Sequence, residues 1–183
     1  MTTENSTENS TEKAPSNSLL AAIMHSGDQQ GDNQVRAIAD RLMSQGYRVG
    51  GVVQSNIVQP DQCRCDMVLK ELISGQEVPI SQNLGNHSQG CRLDSAALDH
   101  VAGLVEASFD HNPEILILNK FGKSESEGGG LRNAIALAVT ANIPVLVGLN
   151  RASIEAWNEF CGGDWQLLEA NDRDVENWLG SVL

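Results

Sequence analysis

The chain has 183 residues, a formal net charge of -12, 40% hydrophobic residues and only 4% aromatic ones. That length and apolar content suffice for one domain with a real core, while the acidic balance and the lack of any basic stripe exclude a general nucleic-acid or anionic-membrane surface. No apolar run approaches membrane-span length and no charged-then-apolar leader opens the chain, so a cytoplasmic, bacterial-type soluble protein is expected, without membrane insertion.

Residues 1–18 read as a disordered leader, since the repeat TENSTENSTE has nothing to bury. Residues 19–183 read as one domain. A core of Leu, Ile, Val and Ala suits an α/β sandwich better than an all-β barrel. Leu19 to His25 is a buried strand, and Val35 to Met43 a helix with Ala37, Ile38 and Leu42 inward, closed by Gly46. Tyr47 to Gln54 is a strand whose Gly50-Gly51 allows close approach of backbone or ligand. Cys65 to Leu72 and Glu77 to Ser81, joined at Ser74-Gly75, read as an antiparallel hairpin inserted on a parallel sheet. Asp94 caps a helix from Ser95 to Phe109.

The chain's centre lies between Glu114 and Asn150. A β-branched strand, Ile115 to Leu118, stops at Asn119-Lys120-Phe121-Gly122-Lys123. Glycines 128–130 then lead into a helix from Leu131 to Thr140, and a second strand runs from Pro144 to Leu149. This is a right-handed βαβ unit. Ligands bind at the carboxyl ends of strands in open α/β sheets, so the strand end that gathers Lys120, Lys123 and Arg132 is the expected functional centre. Beyond it, Ser153 caps a helix with Trp157 and Phe160, Trp165 to Leu168 makes a short edge strand, and Asp172 opens a last helix with Trp178. The three tryptophans are expected to close one end of the core.

The turn His25-Ser26-Gly27-Asp28-Gln29-Gln30-Gly31-Asp32-Asn33 has the place and length of a phosphate-binding loop, G-x-x-x-x-G-K-[ST]. Aligned on Gly31, Ser26 replaces the first glycine, Asp32 the lysine and Asn33 the hydroxyl that holds magnesium. An aspartate in the lysine's place repels a triphosphate. A helix N-terminus with free amides still attracts an anion, and a plain strand-to-helix turn is the other reading. Asn119 stands where such proteins end a strand in a metal-binding aspartate, and an amide lacks the charge that draws Mg²⁺.

Taken together, GCRLD (90–94), NKFGK with EGGGLR after it (119–132), IPVL (143–146) and CDMVL (65–69) resemble an uncharacterised bacterial family, domain of unknown function 2478, from about residue 20 onward. That family is similar to small P-loop nucleoside-triphosphatases. The resemblance implies a three-layer sandwich with a mainly parallel sheet, P-loop-like topology and an inserted hairpin, and an association with molybdate uptake. The P-loop lysine, its hydroxyl and the strand-end acid are all replaced here, which points away from hydrolysis.

The expected function is a non-hydrolysing protein that binds an oxyanion or nucleotide and is accessory to molybdenum handling. Ser26, Gly27, Gly31 and Asn33 would frame one wall; Asn119, Lys120, Lys123, Gly129 and Arg132, with Arg92, the other. A molybdate-transport or cofactor-assembly protein is the expected partner. The bland alternative makes Lys123, Glu125 and Glu127 a solvated loop and Arg132 a surface ion pair. A slow nucleoside-triphosphatase and a regulatory protein-binding module are the other functional readings. Cys63, Cys65, His87 and Cys91 offer soft-metal ligands, though nothing in the sequence brings them together. Four cysteines do not make a disulfide framework here. His25 is a candidate acid–base group by location.

Overall fold

Short segments rich in Val, Ile, Leu and Ala assemble into one sheet. The computed structural model describes residues 17–58, 65–82 and 93–183. In chain order the elements are β1 (Leu20–Met24), α1 (Gln29–Ser44), β2 (Val49–Val58), β3 (Cys65–Glu71), β4 (Glu77–Pro79), α2 (Ser95–Ser108), β5 (Ile115–Phe121), α3 (Lys123–Ser126), α4 (Arg132–Thr140), β6 (Val145–Leu149), α5 (Ile154–Cys161), β7 (Gln166–Leu168) and α6 (Asp172–Val182). The sheet runs β4-β3-β2-β5-β6-β1-β7. Its five strands from β2 to β7 are parallel, and β3 and β4 add an antiparallel hairpin to β2.

Strand alternation sorts the core into two layers. On β5, Ile115 and Ile117 pack with Val35, Ile38 and Leu42 of α1 and Val175 and Trp178 of α6. Leu116 and Leu118 pack with Leu98 and Val101 of α2, Ile135 of α4 and Trp157 of α5. Covering an aliphatic side chain completely contributes roughly 1.5–3 kcal/mol, and every residue of β5 except Lys120 is buried. The result is a mainly parallel α/β sandwich with α1 and α6 on one side of the sheet and α2, α4 and α5 on the other. The connection from β1 travels one way along the sheet to β2, while that from β6 crosses β1 the other way to β7. Opposite travel with one handedness puts α1 and α5 on opposite faces, and the carboxyl ends of β1 and β6 become the switch point of the topology.

Several expectations need correction. The helix expected from Val35 begins six residues earlier, at Gln29, because Asp28 caps it. Its inner face uses Ala39 and not Ala37, which is exposed. β5 does not stop at Leu118 but runs through Asn119 and Lys120 to Phe121, with a register shift against β6. Ser153 makes no side-chain cap; Asn150 accepts the Ser153 N–H instead. The tryptophans divide between the two layers of the core. Trp157 and Trp165 sit together with Phe121 and Phe160, whereas Trp178 packs in the opposite layer and donates to the Ser18 carbonyl. The close approach expected at Gly50-Gly51 is backbone on backbone: a Cβ on Gly51, at φ +102°, would lie 2.0 Å from the Ile117 oxygen. Among the described residues, no helix is long and apolar enough to cross a membrane.

Candidate functional site

The turn after β1 is organised by one imidazole. The Gly27 N–H donates to Nδ1 of His25 at 2.8 Å, so the ring's proton resides on Nε2. Nε2 donates to Oδ1 of Asp32 at 3.0 Å. Asn119 donates its amide to the same oxygen at 2.8 Å, and Gln54 donates to Oδ2 at 3.2 Å. The side-chain oxygen Oδ1 of Asn119 accepts the Gln54 backbone N–H at 3.1 Å, and Arg36 donates to the Gln54 backbone carbonyl at 2.8 Å. His25, Asp32, Gln54 and Asn119 are all buried. Three donors, from the turn after β1, from β2 and from β5, thus converge on one carboxylate in the first turn of α1.

Two glycines make this possible. A Cβ on Gly31 would lie 2.6 Å from the His25 ring. A Cβ on Gly148 would lie 2.1 Å from the Asn119 backbone oxygen and 2.8 Å from the ring. The imidazole therefore lies against bare backbone from α1 and from β6.

The anion positions of the turn are filled from within. The Asp28 carboxylate accepts the N–H groups of Gln30 and Gly31 and the Ser26 hydroxyl. The Ser26 hydroxyl foremost, with the Gly31 amide next, holds the Asp28 carboxyl below the usual carboxylate range. The glycine loop behaves alike. Glu125, expected in a solvated loop, is buried, and its two oxygens accept the N–H groups of Gly122 and Leu131 at 3.0 and 3.1 Å. Gly130, at φ +55°, leaves room for it, since a Cβ there would lie 2.2 Å from Oε1.

The residues expected to form two walls of one pocket fall in different places. Ser26 borders an open basin of about 470 Å³ at the switch point, together with His25, Gln30, Gln34, Asn150 and Arg151. Asn119, Lys120 and Lys123 border a separate cleft of about 130 Å³ between β2, α2 and the start of α4. Asn33 is exposed on α1, and Gly129 is exposed with its N–H on the Ser124 carbonyl. Arg132 lies in neither cavity: it donates to the Glu125 carbonyl and stacks 4.4 Å from the centre of the Phe160 ring. Lys123 forms an exposed pair with Glu127 at 3.7 Å. Arg92, Cys63, His87 and Cys91 lie outside the described residues, as does the side chain of Cys65; among the described residues no cluster of three or more His, Cys, Asp or Glu could hold a metal ion. Burial pushes the Cys161 thiol up to about 12, which keeps it protonated and unreactive.

Among the described residues, Asp32 stands at the lysine's position and offers no cation there, and its carboxylate is taken up by its three donors. Both nitrogens of His25 are engaged, which leaves it no lone pair for base catalysis. Sequence reasoning missed Gln54, Glu125, Gln30, Gln34, Asn150 and Arg151. Gln54 carried a signal, as an amide directly after the β-branched pair Val52-Val53, and so did Glu125, three residues after the glycine that starts α3.

A family profile described as "Protein of unknown function (DUF2478)" matches residues 20–178. The chain is 34% identical over 159 residues to the "Molybdenum import ATP-binding protein ModC 2" of Bradyrhizobium diazoefficiens. The match takes in 87% of this chain but spans only 18% of that protein's length. No solved structure matches the chain.

Proposed function

This chain belongs to the DUF2478 family, and we propose that it is a non-hydrolysing binding module on a P-loop-like scaffold, taking a nucleotide or an oxyanion in the service of molybdenum handling. The P-loop-like reading is supported by β1, its turn and α1, with the polar Asn119, near the end of β5, set against the first turn of that helix. The basin at the switch point is the natural place for the ligand. There Arg151 supplies charge and Ser26, Gln30, Gln34 and Asn150 supply polar contacts.

The Asp32 carboxylate, locked by His25, Gln54 and Asn119, carries the non-hydrolysing half of this reading. Phosphoryl transfer needs positive charge on the leaving phosphates and an acidic anchor for magnesium. A buried carboxylate held by two side-chain amides and an imidazole provides neither. The decisive measurement is inorganic-phosphate release from ATP and GTP with magnesium, run beside titration calorimetry with ADP, molybdate and sulfate. Saturable heat without turnover is expected. Magnesium-dependent turnover that an Arg151→Ala variant at the basin loses would replace the reading with a slow nucleoside-triphosphatase.

A second reading rests on the relative. A segment similar to this chain forms less than a fifth of a protein named for ATP binding in molybdenum import, so the ATP binding in that name has ample room elsewhere in it. This favours an accessory module that docks on such an ATPase and regulates it. Co-purification with a molybdenum-import ATPase, coupled with silence toward every small molecule above, is the outcome that selects it.

A further inference from the structure

The smaller cleft has a composition unlike the basin, with which it shares no lining residue. Val52, Leu69, Ile80, Leu93, Leu98 and Leu131 supply apolar walls from β2, the hairpin and the helices α2 and α4. Its volume of about 130 Å³ is close to that of engineered apolar cavities, about 150 Å³, that accept a benzene ring. Polar groups at the rim are mostly committed. Gln54 and Asn119 donate to Asp32, Glu125 turns both oxygens to backbone N–H groups, and Lys123 is exposed and paired with Glu127.

Lys120 differs. It is partly buried at the cleft, and among the described residues its ammonium has no hydrogen bond or ion pair. An ammonium at the edge of a low-dielectric cavity interacts more strongly with an anion than one in water does. Apolar walls for one ring and one uncommitted cation define a ligand by size and charge.

We propose that this cleft binds a small carboxylate built on a single apolar ring, with the ring between Leu98 and Leu131 and the carboxylate on Lys120. The site is independent of the basin, and nothing in the proposed nucleotide or oxyanion function requires it. A free inorganic oxyanion lacks the apolar body that the walls select, and a neutral ring lacks the partner for Lys120.

The test is a ¹⁵N NMR titration of the full chain with benzoate, benzamide and acetate. Benzoate should shift the amides of Val52, Leu98, Lys120 and Leu131 saturably, leaving those of Gly27 and Asn150 at the basin still. Benzamide should bind about tenfold more weakly, the loss expected when a charged hydrogen bond is removed, and acetate should give no saturable shift. Lys120→Met should bring benzoate down to the level of benzamide, and Lys120→Arg should restore the preference. Circular dichroism establishes that each variant is folded. Absence of saturable shifts with benzoate, equal binding of benzoate and benzamide, or undiminished binding by folded Lys120→Met would each overturn the proposal. Basin shifts with ADP or molybdate report on the other site alone, so either idea can fail without the other.

Discussion

Asn119 donates its side-chain amide to Asp32 across 2.8 Å, fastening the end of β5 to the first turn of α1. The donor is neutral, so the buried carboxylate gains a partner without a second buried charge. Asn119→Asp restores the acid usual at such a strand end, but sets it against Asp32. An uncompensated buried charge typically costs about 3–5 kcal/mol, and urea denaturation should show a loss of that order. Phosphate release should stay at background, because the new acid has no lysine to work with.

Gly148 lies where β6 passes both the Asn119 backbone oxygen and the His25 ring. In Gly148→Ala the added methyl has backbone on one side and a fixed imidazole on the other, so neither can yield cheaply. Overpacking of this kind costs about 1–3 kcal/mol. The melting temperature should fall accordingly, whereas Gly180→Ala, with nothing within 4 Å, should leave it unchanged or raise it.

Glu125 closes the glycine loop on itself. Removing the carboxylate in Glu125→Ala frees the N–H groups of Gly122 and Leu131, and hydrogen bonds to charged groups contribute about 1.5–3 kcal/mol each. Hydrogen exchange should accelerate at those two amides first. A variant with unchanged exchange there would mean that the loop is held by something else.

Asp28 makes part of the stability pH-dependent. Its carboxyl is held below 3.8, chiefly by the Ser26 hydroxyl and then the Gly31 amide. In the window between the lowered folded value and 3.8, the unfolded chain binds more protons than the folded one, so stability rises with pH. That contribution is present above 3.8 and is lost as pH falls through the folded value. Asp28→Asn keeps a capping oxygen but no titrating group, so its melting temperature should fall less steeply than the wild type's below about pH 4.

The layered sheet, the hairpin and most of the helices were legible because their signals are local: runs of β-branched residues, caps and turn glycines. The site was less so. Asp32, Gln54 and Asn119 are separated by 22 and 87 positions along the chain in their shared contacts, and no local pattern announces that they meet. Asp32 was read as a charge turned toward a ligand, whereas the helix phase set by Asp28 turns it inward onto the three donors. Asn119 and Lys120 do border one cleft, but strand alternation continues Ile115 and Ile117 into Asn119, so its amide is spent on Asp32 of α1 and Lys120 is left to the cleft. Glu125 was grouped with Lys123 and Glu127 by charge alone, but only the latter two are exposed.

The position of β1 between β6 and β7 sets the order in which the sheet can be finished. A ribosome makes this strand long before either of its neighbours. At about 5–20 residues per second, the stretch from Met24 to Leu149 takes on the order of ten seconds. Throughout that interval β1 lacks both of its native neighbours, and α1, made directly after it, is the first element that its apolar residues can cover themselves with.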